Sequence, residues 1–275
     1  MGGALVLGGG GVAGIAWTTG VLAGLAANGA DVTGADLVVG TSAGSTVGAQ
    51  LGSGLGVAEL YRRQVEPELQ NREIRPAGVD VPKILEEWTR LAEEIADPAE
   101  RRRRLGRQAL TATTVSPEER HAVVAGRLPS PDWPEWRLVI VAVEAESGEP
   151  RFFDRDSGVP LVAAVEASCA VPLVWPAVTV DGVRYVDGGI RTTANVDVAA
   201  GHDPVVVVAP MVDPDFERDV AELSRTARVE VITPDEASQA AIGADPLDPA
   251  TRTPAARAGH AQGARLAPGL AGLMA

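Results

Sequence analysis

The sequence has few of the residues that build disulfides, cysteine-bound metal sites and nucleic-acid-binding surfaces. Of its 275 residues one is cysteine, Cys169, so no intramolecular disulfide can form and a reducing compartment is expected. Lysine is scarce as well, with Lys83 alone, and the 37 acidic residues outnumber the 24 lysines and arginines, so the formal net charge is −13. Such an acidic chain argues against a nucleic-acid partner and against attraction to anionic membrane surfaces.

Long apolar runs are missing as well. No stretch approaches the ~18 to 20 consecutive apolar residues that a membrane-spanning helix needs, and residues 1–4 carry none of the basic residues of a signal peptide. The sequence therefore predicts a cytoplasmic protein with at most peripheral membrane contact. A hydrophobic content of 45% is enough for a substantial core, and we expect a single α/β domain over residues 1–275.

Glycine, in contrast, is abundant near the start of the chain. The apolar run 4–7 predicts a buried strand, residues 8–14 contain five glycines, and a helical pattern follows until Asn28-Gly29. A loop without side chains lets backbone N–H groups approach an anion beside a helix N-terminus. Three uses compete for it, namely a dinucleotide site, a phosphate-binding P-loop and an oxyanion hole.

The neighbouring residues separate these three uses. Gly9, Gly11 and Gly14 fit the dinucleotide pattern G-x-G-x-x-G, but that site also needs an acidic residue after the second strand. A P-loop needs lysine followed by serine or threonine where Ile15-Ala16 stands. An oxyanion hole for acyl transfer is the use that also accounts for the next motif.

That motif is a G-x-S-x-G pentapeptide, residues 40–44, directly after the apolar run 37–39. The order predicts a strand, a sharp turn and a helix, with Ser42 at the tip of the turn. A serine in such a strained turn needs neighbours that are nearly free of side chains, which Gly40 and Gly44 provide. By itself the pentapeptide fits both a nucleophile elbow and an ordinary glycine-rich turn.

A nucleophilic serine needs a base, and the chain offers two kinds. His121, His202 and His260 each have the surroundings of a surface or turn histidine, and His202 is the best candidate for a Ser-His-Asp triad. The alternative is Asp187, which ends the second arm of a predicted hairpin and precedes two glycines. An aspartate acts as a base near neutral pH when a dry setting raises its pKa. Taken alone, Asp-Gly-Gly is equally typical of a tight turn.

The remaining segments complete the outline. Residues 57–135 combine helical spacing with charges and prolines, which predicts a helical insertion over the sheet, with a lid as one role. Within it, the run 101–104 of four arginines fits a solvated helix face better than an anionic head-group site. Residues from about 249 onward are rich in Ala, Arg, Gly and Pro and predict a terminal helix with a loose tail.

Together these motifs resemble the patatin-like phospholipase family of lipid acyl hydrolases. The glycine loop at 9–11, the pentapeptide 40–44 and Asp187-Gly188-Gly189 match the three signatures of that family. The stretch 167–172 and Asn195 also look like the family. The resemblance covers about residues 4–56 and 137–200.

The resemblance implies a three-layer α/β/α sandwich with a mostly parallel central sheet. It further implies a Ser-Asp dyad with Ser42 as the nucleophile and Asp187 as the base, and no metal or cofactor. The oxyanion hole would be formed by backbone amides among Gly9, Gly10, Gly11 and Val12. The substrate would be a lipid or a small ester.

One departure concerns the basic residue that the family's glycine loop usually carries, because Ala13 stands there. Removing one oxyanion donor can cost on the order of 10²- to 10³-fold in rate, so we expect a slower or narrower enzyme. The alternatives are a catalytically degenerate lipid- or fatty-acid-binding protein, a nucleotide-binding oxidoreductase that uses the glycine loop, and the Ser-His-Asp hydrolase.

Overall fold

The structure, a computed structural model, describes residues 2–76 and 79–274. Ala77 and Gly78, inside the predicted helical insertion, lie outside the described residues. The described chain forms one mixed sheet with the strand order β5-β6-β3-β2-β1-β7-β8, in which β4 also pairs with β3. The strands are β1 Ala4–Leu7, β2 Leu37–Thr41, β3 Arg137–Glu144, β4 Pro150–Phe153, β5 Val178–Val180, β6 Val183–Asp187, β7 Val205–Val208 and β8 Val229–Ile232.

The strands β1, β2, β3, β7 and β8 are parallel, whereas β4 and β6 run antiparallel to β3 and β5 runs antiparallel to β6. Ten α-helices flank the sheet in the described part of the chain. They are α1 Gly11–Ala27, α2 Ala43–Leu51, α3 Val57–Val65, α4 Val81–Glu94, α5 Pro98–Ala109, α6 Pro117–Arg127, α7 Leu161–Ser168, α8 Phe216–Leu223, α9 Glu236–Ile242 and α10 Arg252–Leu270.

Alternate residues of the central strands face opposite sides of the sheet. Leu5 and Leu7 of β1 pack into the main core with α1, α2 and α10. Ala4 and Val6 pack on the other face with Phe216 of α8. Because both faces are covered, the strands have to be apolar throughout, which is why they appear in the sequence as continuous Val, Ile and Leu runs. The predicted three-layer α/β architecture is confirmed.

The predicted insertion contains α3 to α6, which lie between α2 and β3. Several of its prolines mark the starts of helices. Asp97 and Ser116 cap α5 and α6, and the proline that follows each cap occupies the first turn, where a missing N–H has no consequence. Among the described residues no helix is both long enough and apolar enough to cross a membrane.

The C-terminal segment differs from its prediction. Residues 252–270 form the long helix α10, which packs closely against α1. A Cβ placed on Gly20 would lie 2.2 Å from the Ala256 carbonyl oxygen, and one on Gly263 would lie 2.2 Å from the Val21 oxygen. The prediction of a terminal helix is confirmed, but that of a loose tail from about residue 249 is wrong. The small residues that suggested flexibility instead let two helix backbones approach each other.

Candidate active site

The sheet brings Ser42 and Asp187 together by joining two strands end to end. On β3, Val141 pairs with Thr41 of β2, and the next residue, Ala142, pairs with Asp187 of β6. Because β4 pairs with one edge of β3, β2 and β6 both pair with the other edge. β2 is parallel to β3 and β6 is antiparallel to it, so β2 and β6 run toward each other. Their carboxyl ends therefore meet, although 145 residues separate Ser42 from Asp187 in the sequence (187 − 42).

Ser42 lies in the sharp strand-to-helix turn that the pentapeptide predicts. Its backbone has φ 53° and ψ −115°, and it directly precedes α2. A Cβ on Gly44 would lie 1.9 Å from the Leu7 carbonyl oxygen, and a Cβ on Gly40 would lie 2.6 Å from the Cα of Ser45. Both glycines are therefore required by close backbone packing, and Ser42 is held in a strained conformation of the kind that clusters at functional sites.

The end of α7 holds the backbones on both sides of the site. The Ser42 N–H donates to Ser168 Oγ at 2.9 Å, and that hydroxyl donates to the Val141 carbonyl at 2.6 Å. Cys169 Sγ donates to the Ser42 carbonyl at 3.2 Å, and the Asp187 N–H donates to the Ala170 carbonyl at 3.0 Å. The family-like stretch 167–172 thus positions both residues, a role that its sequence did not reveal.

Asp187 is 2% exposed, and its two carboxylate oxygens differ. Oδ1 accepts a hydrogen bond from the Gly189 N–H at 2.7 Å, whereas Oδ2 has no hydrogen-bond partner among the described residues. A Cβ on Gly188 would lie 2.2 Å from the Val141 carbonyl oxygen, so this glycine lets the turn pack against β3. The free oxygen is the one available for proton transfer.

Burial raises the pKa of Asp187 to about 7, against smaller lowering effects of the Ser42 hydroxyl, the Gly189 amide and the Arg120 charge. No hydrogen bond joins the two side chains among the described residues, since Oδ2 has no partner and Oδ1 accepts from the Gly189 amide. Catalytic hydrogen bonds are often long or poorly aligned before substrate binds.

Asn195 connects the two segments that carry Ser42 and Asp187. It is fully buried, and its Nδ2 donates to Thr41 Oγ1 at 3.0 Å and to the Gly188 carbonyl at 3.3 Å. Its Oδ1 accepts a hydrogen bond from Arg191 at 2.6 Å. The side chain therefore fixes the distance between the end of β2 and the turn that follows Asp187.

The glycine loop lies beside Ser42, but its amides are not equivalent. The Gly9 N–H donates to the Thr193 carbonyl at 2.8 Å, so Gly9 lines the site without a free amide. The N–H groups of Gly10, Gly11 and Val12 have no acceptor among the described residues. Of the four amides predicted to bind an oxyanion, that of Gly9 is therefore already hydrogen-bonded, whereas the other three are free to donate.

Ser42 and Asp187 line a common cavity of about 100 Å³. One wall is formed by Gly9, Gly10, Gly11, Ser42, Asp187, Gly189 and Thr193. The remaining lining residues are apolar: Ile84, Trp88, Val171, Val174, Met211, Pro246 and Leu247. None of the described residues that line the cavity is histidine, arginine or lysine. Ala13 is fully buried in the main core, so no charge reaches the cavity from that position.

The histidines lie elsewhere. His202 precedes β7, which is parallel to β2. It therefore lies at the amino ends of the parallel strands, whereas Ser42 lies at their carboxyl ends. His121 pairs with Glu166 at 2.8 Å, and the ring of His260 lies 4.7 Å from that of Tyr61. The alternative triad with His202 is therefore wrong, because His202 and Ser42 lie at opposite ends of the parallel strands.

Other sequence predictions fall outside the cavity. In the basic run 101–104, Arg103 pairs with Glu100 at 2.7 Å and Arg102 donates to the Gly148 carbonyl at 2.6 Å. This run lies on a helix face whose arginines have partners within the protein, and it does not line the cavity.

The sequence analysis did not anticipate four residues that line the cavity, Ile84, Trp88, Met211 and Leu247. Nothing in the sequence marks which apolar side chains of distant segments meet.

Comparisons with known proteins agree with this arrangement. The sequence model of the family described as patatin-like phospholipase matches residues 5–200. Among solved structures, VipD from Legionella pneumophila is similar, with a TM-score of 0.50 and 14% sequence identity over 98% of this chain and 67% of that chain. At this identity the likeness concerns the fold. No curated protein matches the sequence. Since the family match includes the glycine loop, the turn at Ser42 and Asp187, the chain belongs to the patatin-like phospholipase family.

Proposed function

We propose that the chain is a serine esterase that hydrolyses carboxylic esters through a Ser42–Asp187 dyad. Membership of the patatin-like phospholipase family supports lipid acyl hydrolase activity in general. The observation that carries the finer proposal is the unpartnered Oδ2 of buried Asp187 in the same cavity as the strained Ser42. A buried polar atom without a partner is rare and calls for a functional reason.

The proposed reaction begins when Ser42 Oγ attacks the carbonyl carbon of the ester and its proton passes to Asp187 Oδ2. The carbonyl oxygen becomes an oxyanion that accepts hydrogen bonds from the amides of Gly10, Gly11 and Val12. This oxygen also lies near the N-termini of α1 and α2, whose dipoles favour negative charge. Preorganised donors of this kind are effective because they need no rearrangement during the reaction.

The second half uses the same groups in reverse. The tetrahedral intermediate expels the alcohol, which takes the proton from Asp187, and an acyl-Ser42 ester remains. Water then attacks this ester while Asp187 accepts its proton, and the carboxylic acid leaves as Ser42 regains its hydrogen. Asp187 can serve in both directions because its pKa of about 7 lies near neutral pH.

Hydrolysis of p-nitrophenyl butanoate by the wild type, Ser42→Ala and Asp187→Asn tests the proposal. We expect each substitution to lower kcat by at least about 10³-fold, as for other nucleophile and base deletions. Ser224→Ala is the matched control, because Ser224 is an exposed serine just after α8. Equal hydrolysis by all four proteins would overturn the dyad.

Labelling with a fluorophosphonate separates the enzyme from a degenerate binding protein of the same fold. An activated serine forms a covalent adduct, so we expect one adduct on wild type and none on Ser42→Ala. Absence of any adduct, together with uptake of a fluorescent fatty acid, would instead favour the lipid-binding alternative. The acidic net charge leads us to propose neutral esters and at most peripheral membrane contact.

A further inference from the structure

The catalytic cavity is divided into a polar half and an apolar half. Ser42, Asp187 and the glycine loop form the polar half at the carboxyl edge of the sheet. The other lining residues are apolar and come from four separate parts of the chain, among them Trp88 of α4, Val174 after α7 and Leu247 after α9. An ester bound with its carbonyl at Ser42 would therefore place its uncharged acyl group against the apolar half.

Helix α4 contributes two of the apolar side chains that line the cavity. Ile84 and Trp88 are one helical turn apart, and both line the cavity. Ile84 also belongs to a small apolar cluster with Val174 and Leu247, so α4 is packed onto the same side chains that line the cavity. The insertion is thus an integral wall of the site.

The space inside these walls is small. The cavity measures about 100 Å³, whereas an apolar cavity of about 150 Å³ in another protein takes up one benzene molecule. By that comparison the cavity accommodates roughly four carbon atoms. A longer acyl chain would be overpacked against Ile84 and Trp88, which is unfavourable in a well-packed apolar site.

We infer that the enzyme is specific for neutral esters of short acyl chains, with Trp88 as the residue that limits chain length. The inference rests on the proposed function, because it names the substrate class of the same site. The absence of arginine, lysine and histidine among the described lining residues agrees with an uncharged group in the cavity.

A length series of p-nitrophenyl esters tests this inference on the wild type alone. We expect kcat/KM to be highest for the acetate and butanoate and to fall at least about tenfold for the octanoate and the dodecanoate, since a single misfitting methylene is already worth 10-fold or more in some enzymes. Ser42→Ala provides the blank for each ester. A kcat/KM that rises steadily to the dodecanoate would overturn the inference and leave the proposed function intact.

Variants of the wall residue test the role of Trp88. Trp88→Ala enlarges the cavity, so the ratio of kcat/KM for octanoate to that for butanoate should rise about tenfold. Trp88→Phe keeps most of the bulk and removes the indole N–H, so it should retain the wild-type ratio. Trp136→Ala is the matched control, because Trp136 is partly buried outside the cavity.

The outcomes separate the two proposals. If no ester of any length is hydrolysed, the proposed function fails and the inference fails with it. If short esters are preferred but Trp88→Ala and Trp88→Leu both keep the wild-type ratio while remaining folded, Trp88 does not set the limit. If Trp88→Ala does not fold, the wild-type series and Trp88→Leu decide the matter.

Discussion

Asp187 shows how burial can change the proton affinity of an ordinary side chain. In water an aspartate is ionised and weakly basic at neutral pH. Within this fold it is 2% exposed and keeps one oxygen without a partner, so the charged form is penalised and its affinity for a proton rises. The same penalty that prepares it for proton transfer also destabilises the folded protein.

The first prediction concerns the pH dependence of hydrolysis. Asp187 has to be deprotonated to accept the Ser42 proton, so kcat/KM should rise with pH, reach half its plateau near the pKa of about 7 and then stay level. Arg120, a buried cation stacked 4.0 Å from the centre of the Trp175 ring, lowers that pKa. We therefore expect Arg120→Gln to move the midpoint upward.

A histidine base would also titrate near neutral pH, so a control is needed. His202→Ala should leave the midpoint of the pH profile unchanged, because His202 lies at the amino ends of the parallel strands, away from Ser42 and Asp187. A midpoint near the ordinary pKa of aspartate, about 4, would contradict the assignment of a dry Asp187 as the base.

The second prediction concerns the stability of Asp187→Asn. Because burial raises the pKa of Asp187 in the folded state, the contribution of this group to stability is greatest below about pH 4 and is lost as pH rises through about 7. Asparagine cannot ionise, so Asp187→Asn should be more stable than wild type by about 1–4 kcal/mol near pH 8 and equally stable near pH 4. Urea unfolding at both pH values checks this. The prediction would be contradicted if Asp187→Asn were less stable than wild type near pH 8.

Two kinds of packing between elements determine the shape of the site. The end-to-end arrangement of β2 and β6 on β3 brings the two site residues together. Behind the sheet, α1 begins at the glycine loop and is held in place by α10. A Cβ on Gly20 or Gly24 of α1 would meet the backbone of α10, and a Cβ on Gly259 or Gly263 of α10 would meet the backbone of α1, so the close contact depends on small residues from both helices.

The third prediction tests this contact between α1 and α10. A Cβ on Gly259 would lie 2.3 Å from the Trp17 carbonyl oxygen, so Gly259→Ala should lower the free energy of unfolding by about 1–3 kcal/mol. Gly126 of α6 is the matched control, since nothing lies within 4 Å of a Cβ there. Gly126→Ala should be neutral or stabilising by up to about 1 kcal/mol. Equal effects of the two substitutions in urea unfolding would refute the close contact.

For the molecule as a whole, a buried ionic cluster joins the insertion to the C-terminal helix. Glu73, before α4, contacts Arg127 of α6 and Arg252 of α10 at 2.7 Å each, and the three side chains are 3%, 6% and 6% exposed. Burial acts to raise the pKa of Glu73, but the two arginines outweigh it and hold that pKa below its usual range. The cluster is therefore charged in the folded protein.

The fourth prediction is that Glu73→Gln destabilises the protein by about 3–5 kcal/mol, because it leaves two buried arginines without a counter-charge. Glu146→Gln is the control, since Glu146 pairs with Arg184 at the surface and is 52% exposed, where such pairs contribute about 0–1 kcal/mol. Chemical denaturation of both variants measures the difference. A similar loss of stability in both variants would show that the buried cluster contributes no more to stability than a surface ion pair.

Local patterns predicted much of this protein. The apolar runs predicted β1 and β2, and the glycine loop and pentapeptide predicted the turns before α1 and α2. Asp181-Gly182 predicted the hairpin of β5 and β6, and both residues have positive φ values, 50° and 80°. These predictions are correct because a few neighbouring residues determine the local backbone conformation in each case.

The resemblance to the patatin-like family indicated which motifs belong together, but not how their side chains meet. Nothing local shows that the Gly9 amide is taken by Thr193, that Ser168 supports Ser42, or that Trp88 closes the cavity. The composition of α10 even suggested a loose tail, because small residues favour both flexible chain and close helix packing.

The residue types at positions 42 and 187 follow from the sequence, as do the strands and turns that present them. Their chemical state does not. The strain at Ser42, the dry surroundings that raise the pKa of Asp187 and the volume left for an acyl group all depend on segments far apart in the chain. Burial and exclusion of water are properties of packed neighbours, and those neighbours are set when the sheet, the insertion and α10 come together.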